Sequence, residues 1–223
     1  MAGVRIINFH GIGEPQRELE PGEEPYWISV ERFRYMLDRI VAHADHSQIA
    51  ITFDDGNLSD LAIGAVELEK RKLKARFFVL TGRIGQVGSL SENNIRALLS
   101  ADMGIGSHGI WHRDWSSLPL SELNQELTES KRVLEAICGS AINHAAIPFG
   151  RYNARVMKAA RAAEYERVYS SDGGSADPKN YLQARSSVRS DTSDAAFEAM
   201  LSGRLPWAKR LRRTAAMAVK QIA

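Results

Sequence analysis

Two histidines four residues apart, in the run His108-Gly109-Ile110-Trp111-His112, are the first residues here able to do chemistry. At that spacing a helical turn or tight loop brings both imidazoles to one side, where they can share a metal ion. Taken alone, the pair is equally what two surface histidines in a loop look like. The adjacent aspartates Asp54 and Asp55 change the balance. An apolar run, residues 49 to 53, leads straight into them, as a strand would lead into an active-site edge. Like charges side by side repel unless a cation or a hydrogen bond separates their roles, although an Asp-Gly turn is the plainer explanation of the same residues. Two imidazoles and one carboxylate leave coordination positions open, which suits a catalytic rather than a structural metal site. The other carboxylate is then available to take a proton from water. His10 ends a further apolar run, from Val4 to Phe9, just before Gly11.

These residues need a scaffold that delivers strand ends to one rim. Apolar runs at Val4 to Phe9, Ile49 to Phe53, Arg76 to Leu80, Met103 to Ser107, Asn143 to Ile147, Arg167 to Ser170 and Leu182 to Val188 read as strands. Between them lie helix-period segments: one capped by Ser29 and carrying Phe33, Met36, Leu37, Ile40 and Val41 on one face; Leu61 to Lys72; Ser91 to Ser100, capped by Ser91; Ser121 to Ile137; Asn153 to Ala163; Ser193 to Leu201. Regular alternation of this kind predicts an α/β fold, a distorted (β/α) barrel of about seven parallel strands in a single domain. In such a barrel functional groups gather at the C-terminal ends of the strands, where His10, Asp54, Asp55, His108 and His112 all fall.

Composition narrows the classes. The chain has 223 residues, 44% hydrophobic and 25% charged, with a formal net charge of +2, too small to argue for a nucleic-acid partner. One cysteine, Cys138, excludes an internal disulfide and reads as a small buried hydrophobe near a helix end. The N-terminus lacks the pattern of a secretory signal and no stretch reaches the length of a membrane span, so the expectation is a soluble, cytoplasmic protein.

With these residues assembled, the chain resembles the polysaccharide deacetylases, the carbohydrate esterases with a NodB-homology domain. Thr52-Phe53-Asp54-Asp55-Gly56 looks like their first motif, Ser107-His108 through His112 like their second, and Pro148-Phe149-Gly150 like the end of their third. Residues 75 to 81 match the strand that follows the first motif. The resemblance implies removal of an acetyl group from an N-acetylated sugar. It implies a divalent metal, usually zinc with cobalt or nickel as substitutes, held by Asp55, His108 and His112. It implies Asp54 as general base, and backbone N–H groups around Pro148, Phe149 and Gly150 as stabilisers of the oxyanion. Trp111 or Trp115 would offer a ring to a sugar face, a structural role being equally consistent.

Three departures stand beside the resemblance. Arg113 occupies a place the family usually gives to proline. Ala146 stands where an arginine usually positions the base; Arg185, on the late strand, is the expected replacement, ahead of Arg151. The family's closing Leu-x-His strand is absent from the C-terminal half, yet residues 6 to 10 form an apolar strand ending in His10. In a closed barrel the first and last strands are neighbours. The chain therefore resembles a circularly permuted member, with His10 as general acid. His144, on the face of Ala146, reads as a hydrogen-bonded core histidine. A cyclic-amide (allantoinase-like) hydrolase on the same fold, or a non-catalytic carbohydrate-binding relative, are the competing expectations. Residues 1–206 form the expected barrel. Residues 207–223 form a basic tail bearing Lys209, Arg210, Arg212, Arg213 and Lys220, for which a solvated or core-docked terminus and a peripheral contact with anionic lipid are the two readings. The oligomeric state is not encoded in any of these patterns.

Overall fold

The apolar runs pair edge to edge in a computed structural model that describes residues 3–203, 214–215 and 217–220. Eight strands make the main sheet: β1 (Val4–Phe9), β2 (Ile49–Phe53), β3 (Ala75–Val79), β4 (Gly104–Ser107), β5 (His144–Ala146), β6 (Arg167–Ser170), β7 (Leu182–Ala184) and β8 (Ser186–Ser187). They run β7-β6-β5-β4-β3-β2-β1-β8, every neighbouring pair parallel. A short strand, Ser175–Ala176, adds an antiparallel pairing to β1. Helices α1 (Val30–Ala42), α3 (Glu92–Ser100), α4 (Leu120–Cys138), α5 (Ala154–Ala162) and α6 (Asp194–Ser202) cross between strands, with a short α2 (Val66–Lys70) after β2. The result is a nearly closed parallel barrel in one domain.

Strand alternation divides the residues between two environments. Phe9, Phe53 and Phe77 face the helices, with Phe53 stacked on Phe77 at 4.6 Å and Phe33 of α1 edge-on to Phe9 at 5.1 Å. Asn8, Thr52 and Phe78 face the barrel interior. Ser29 and Ser91 cap α1 and α3 as expected, Ser91 in a reciprocal capping box with Asn94.

Three elements differ from the sequence expectation. The single strand expected over Leu182 to Val188 breaks at Arg185. Residues before the break pair with β6 and those after it with β1, so this segment stitches the barrel shut. The helix expected from Leu61 opens as a π-type turn, Asp60–Ala65, before α2. The helix expected to open at Ser121 starts at Leu120, after Pro119, without a side-chain cap. In the tail, Trp207, Lys209, Arg210, Arg212 and Arg213 lie outside the described residues, as does the expected 206/207 boundary. Lys220 donates to Asp172 Oδ1 at 2.8 Å, and Met217 packs against the core. No helix among the described residues is long and apolar enough to cross a membrane.

Candidate active site

Register places the chemistry. Phe9 of β1 lies opposite Phe53 of β2, so the next residues, His10 and Asp54, emerge side by side. Val79 of β3 pairs with Ser107 of β4, which puts His108 on the same rim. Simple alternation would send Asp54 and Asp55 to opposite faces. Asp55 instead adopts φ 78, and Gly56 follows at φ 71, turning the second carboxylate back into the mouth of the barrel. A left-handed backbone is tolerated by aspartate better than by most residues.

Asp55, His108 and His112 each offer one ligand atom, all within 4.8 Å of one another. Asp55 Oδ1 stands 3.5 Å from His108 Nε2 and 4.0 Å from His112 Nε2, and it is buried with no hydrogen-bond partner. An orphaned carboxylate oxygen is costly to bury. With the two imidazole nitrogens facing it, Asp55 Oδ1 forms a group of donors that could hold a divalent cation. The far sides of both rings are anchored. His108 Nδ1 lies 2.9 Å from the Ala146 carbonyl, so it carries the proton and leaves the Nε2 lone pair facing Asp55. His112 Nδ1 lies 2.8 Å from Glu20 Oε2, and Arg83 donates to the other oxygen of Glu20. Burial pushes the His108 imidazolium down despite the two aspartates beside it, favouring the neutral ring that a ligand needs.

Glu20 carries a role that sequence reasoning missed. It lies in the polar loop between Gly11 and Tyr26, and nothing in sequence links it to His112. A carboxylate on the outer nitrogen of a ligating imidazole orients the ring and strengthens it as a donor. Glu20→Ala is therefore expected to weaken divalent-ion affinity roughly 10- to 100-fold, read by competition against a chromophoric chelator; unchanged affinity would remove Glu20 from the site. Glu126 of α4 was missed too. Its Oε2 accepts from the N–H groups of Ile110 (2.7 Å) and Trp111 (3.1 Å), clamping the loop between the two histidines. Gly109 makes room for it, since a Cβ there would stand 2.7 Å from that same oxygen.

Asp54 is held differently. Arg185 grips it with both arms, Nη1 to Oδ1 at 2.7 Å and Nη2 to Oδ2 at 2.8 Å, and Asn8 Nδ2 adds a third contact at 3.0 Å. Arg185 is fully buried and so makes the contact that Ala146 cannot. Burial alone would raise the Asp54 carboxyl, but the Arg185 guanidinium, with His108 and His10, overrides it and holds the group far below the ordinary carboxylate range. His10 Nε2 stands 3.9 Å from Asp54 Oδ2, its ring 4.7 Å from that of Tyr26. Asp60, with both carboxylate oxygens buried and unpartnered, is pushed well above the ordinary range by burial and by Asp55 and Asp54, which favours its neutral form.

A pocket of about 310 Å³ opens over these groups, lined by His10, Glu20, Tyr26, Asp54, Asp55, His108, His112 and Phe149. Phe149 sits at φ 58 in the turn after β5, half exposed, its ring 4.1 Å from that of His112. The Gly150 N–H already donates to the Ile147 carbonyl at 2.9 Å and Pro148 has no N–H, so of the three residues expected to hold an oxyanion those two cannot donate. Trp111 packs over Gly82 rather than lining the pocket, and Trp115 is fully buried. Arg151 lies at the pocket edge, paired with Asp114.

Comparison with known protein families matches residues 42–168 to the polysaccharide deacetylases. YxkH of Bacillus subtilis (strain 168), a protein named after that family, is 28% identical over 155 residues, 69% of this chain and 56% of the relative, so the chain spans little more than half that curated relative's length. Among solved structures, the Streptococcus pyogenes deacetylase PplD in complex with acetate has a TM-score of 0.75 at 19% identity, covering 92% of this chain and 99% of the other. IcaB from Ammonifex degensii has a TM-score of 0.75 at 18% identity, covering 91% and 97%. The Bacillus cereus polysaccharide deacetylase BC0361 has 0.74 at 20%, covering 89% and 69%. At these identities the likeness speaks to the fold.

Proposed function

The chain belongs to the polysaccharide deacetylase family, and from that premise we propose that it hydrolyses the N-acetyl group of an N-acetylated sugar or glycan precursor with a divalent metal, zinc by preference. The observation that carries this reading is the orphaned Asp55 Oδ1 facing two anchored imidazole nitrogens, beside a second carboxylate held ionised by Arg185.

Asp55, His108 and His112 would hold the cation. The chemistry supplied by a divalent cation in that seat is polarisation of the acetamide carbonyl and acidification of a water. Asp54, next to that seat, accepts the water's proton. With three donors on its oxygens, Asp54 is ionised at any working pH but has little proton affinity of its own. Such a base suits only a water already made acidic, which ties the two carboxylates into one device. As the new C–O bond forms and the C–N bond breaks, the leaving amine must be protonated; His10, on the other side of Asp54 Oδ2, supplies that proton. Phe149 walls the pocket over His112. His10, on the first strand, is read as standing where the family's closing Leu-x-His would otherwise be; the position of β1 between β2 and β8 supports that permuted reading.

An acetate-release screen with zinc added, covering N-acetylhexosamine oligosaccharides, sugar nucleotides and lipid-linked sugars, tests the reaction. Turnover of a cyclic ureide with none of these would replace the reading. His10→Ala is expected to slow amide hydrolysis far more than hydrolysis of an activated acetyl ester, whose leaving group needs no proton. Equal loss on both substrates would take the acid role from His10.

A further inference from the structure

The barrel has a second opening, at the N-terminal ends of the strands, opposite the catalytic rim. It holds a cavity of about 450 Å³, larger than the catalytic pocket, lined among others by Lys74, Arg76, Asp102, His144, Arg167 and Tyr169. Small residues make the space: a Cβ at Gly104 would stand 3.2 Å from the Arg76 guanidinium carbon, so glycine there lets the guanidinium lie against the strand.

The charge in this cavity is unbalanced. Lys74 pairs with Asp102 at 3.3 Å. Arg76 meets the Ile105 carbonyl at 3.2 Å and the Tyr169 side chain, and Arg167 meets the Pro178 carbonyl at 3.1 and 3.2 Å; among the described residues neither reaches a carboxylate. Two guanidiniums lining one recess repel each other, and burial pushes the Arg76 guanidinium below its ordinary value, a cost that no carboxylate among the described residues offsets. His144, held by the Tyr169 hydroxyl at 2.8 Å, adds a further polar group. Burial, with repulsion from Arg76 and Arg167, pushes His144 down to about 4, so it adds no charge at neutral pH.

We propose that this recess is a seat for a phosphate group, in which Arg76 and Arg167 bind a dianion from two sides, with His144 and Tyr169 as its floor. Forked guanidinium donors match tetrahedral oxyanions geometrically, and a phosphate carries about the charge that two guanidiniums balance. The source is either free phosphate or a phosphomonoester of a small molecule, for which the volume leaves room. The proposal is independent of the catalytic reading, since it uses none of the residues on the rim.

The test is side-chain NMR of the full chain at pH 7, titrated with inorganic phosphate or with glycerol 3-phosphate against chloride at matched ionic strength. The expected result is saturating shifts of the Arg76 and Arg167 Nε–H signals and of the His144 Hε1 signal, absent in chloride. Arg167→Met, which spares the packed Arg76, should weaken the response at least tenfold. Tighter binding of the ester assigns a phosphorylated small molecule; equal or tighter binding of phosphate assigns the free anion. Three results would overturn the seat: shifts confined to His108 and His112, the same shifts in chloride, or an undiminished response in Arg167→Met.

Discussion

Asp54→Asn is expected to lower kcat for N-deacetylation by about 10²–10⁴ while the protein still binds one divalent ion. The amide oxygen keeps one hydrogen-bond acceptor for Arg185 and leaves Asp55, His108 and His112 in place, but it cannot accept a proton. Because Asp54 lies beside the triad and outside it, the variant separates proton transfer from ion binding. Loss of the ion along with the activity would mean that Asp54 is itself a ligand. Activity within a few-fold of wild type would mean that another group takes the proton.

Arg185→Met is expected to cost about 3–5 kcal/mol of stability and nearly all activity. The substitution fills much of the same volume over Phe78 and Tyr169, whose rings lie 5.3 and 5.8 Å from the guanidinium carbon. It leaves the Asp54 carboxylate buried without its counter-charge. The pH dependence has a definite sign. The native Asp54 carboxyl is depressed below the ordinary 3.8, so the stability it contributes is fully present above that value and is lost as pH falls through the native one. The gap between wild type and Arg185→Met should therefore be widest near neutrality and close on acidification. Urea denaturation at pH 7 and at about pH 2.5, inside the window below 3.8 where that contribution is lost, reads it. A gap below about 1 kcal/mol at pH 7, the range of ordinary surface substitutions, would show that the pair holds no charge in place.

The parts of this site that were legible in the sequence are those that local rules control. Apolar runs ending in His10, Asp54 and His108 mark strands whose ends must share a rim, whatever the details of the barrel. Arg185 was reachable because alternation on a late strand can turn a side chain inward. What was not legible depends on contacts distant in sequence. The run through Arg185 looks continuous because both halves are strand, while the exchange of partners at the break comes from barrel closure. Glu20 meets His112 across the barrel mouth from a loop without periodicity. Asp60 lies five residues beyond Asp55, just before the run that reads as ordinary helix, and only the packing reveals that its carboxyl is sealed from water. Trp111, next to a ligand in sequence, turns outward over Gly82 because Glu126 fixes the intervening loop.

The central claim is that Asp55, His108 and His112 hold a divalent ion on which acetate release depends. Its most direct test measures metal content and acetate release on the same samples of wild type and His108→Ala, before and after chelation and after readdition of zinc. The account predicts one divalent ion per wild-type chain, no acetate released after chelation, recovery with zinc, and neither ion nor activity in His108→Ala. Acetate release that persists in metal-free wild-type protein would contradict it.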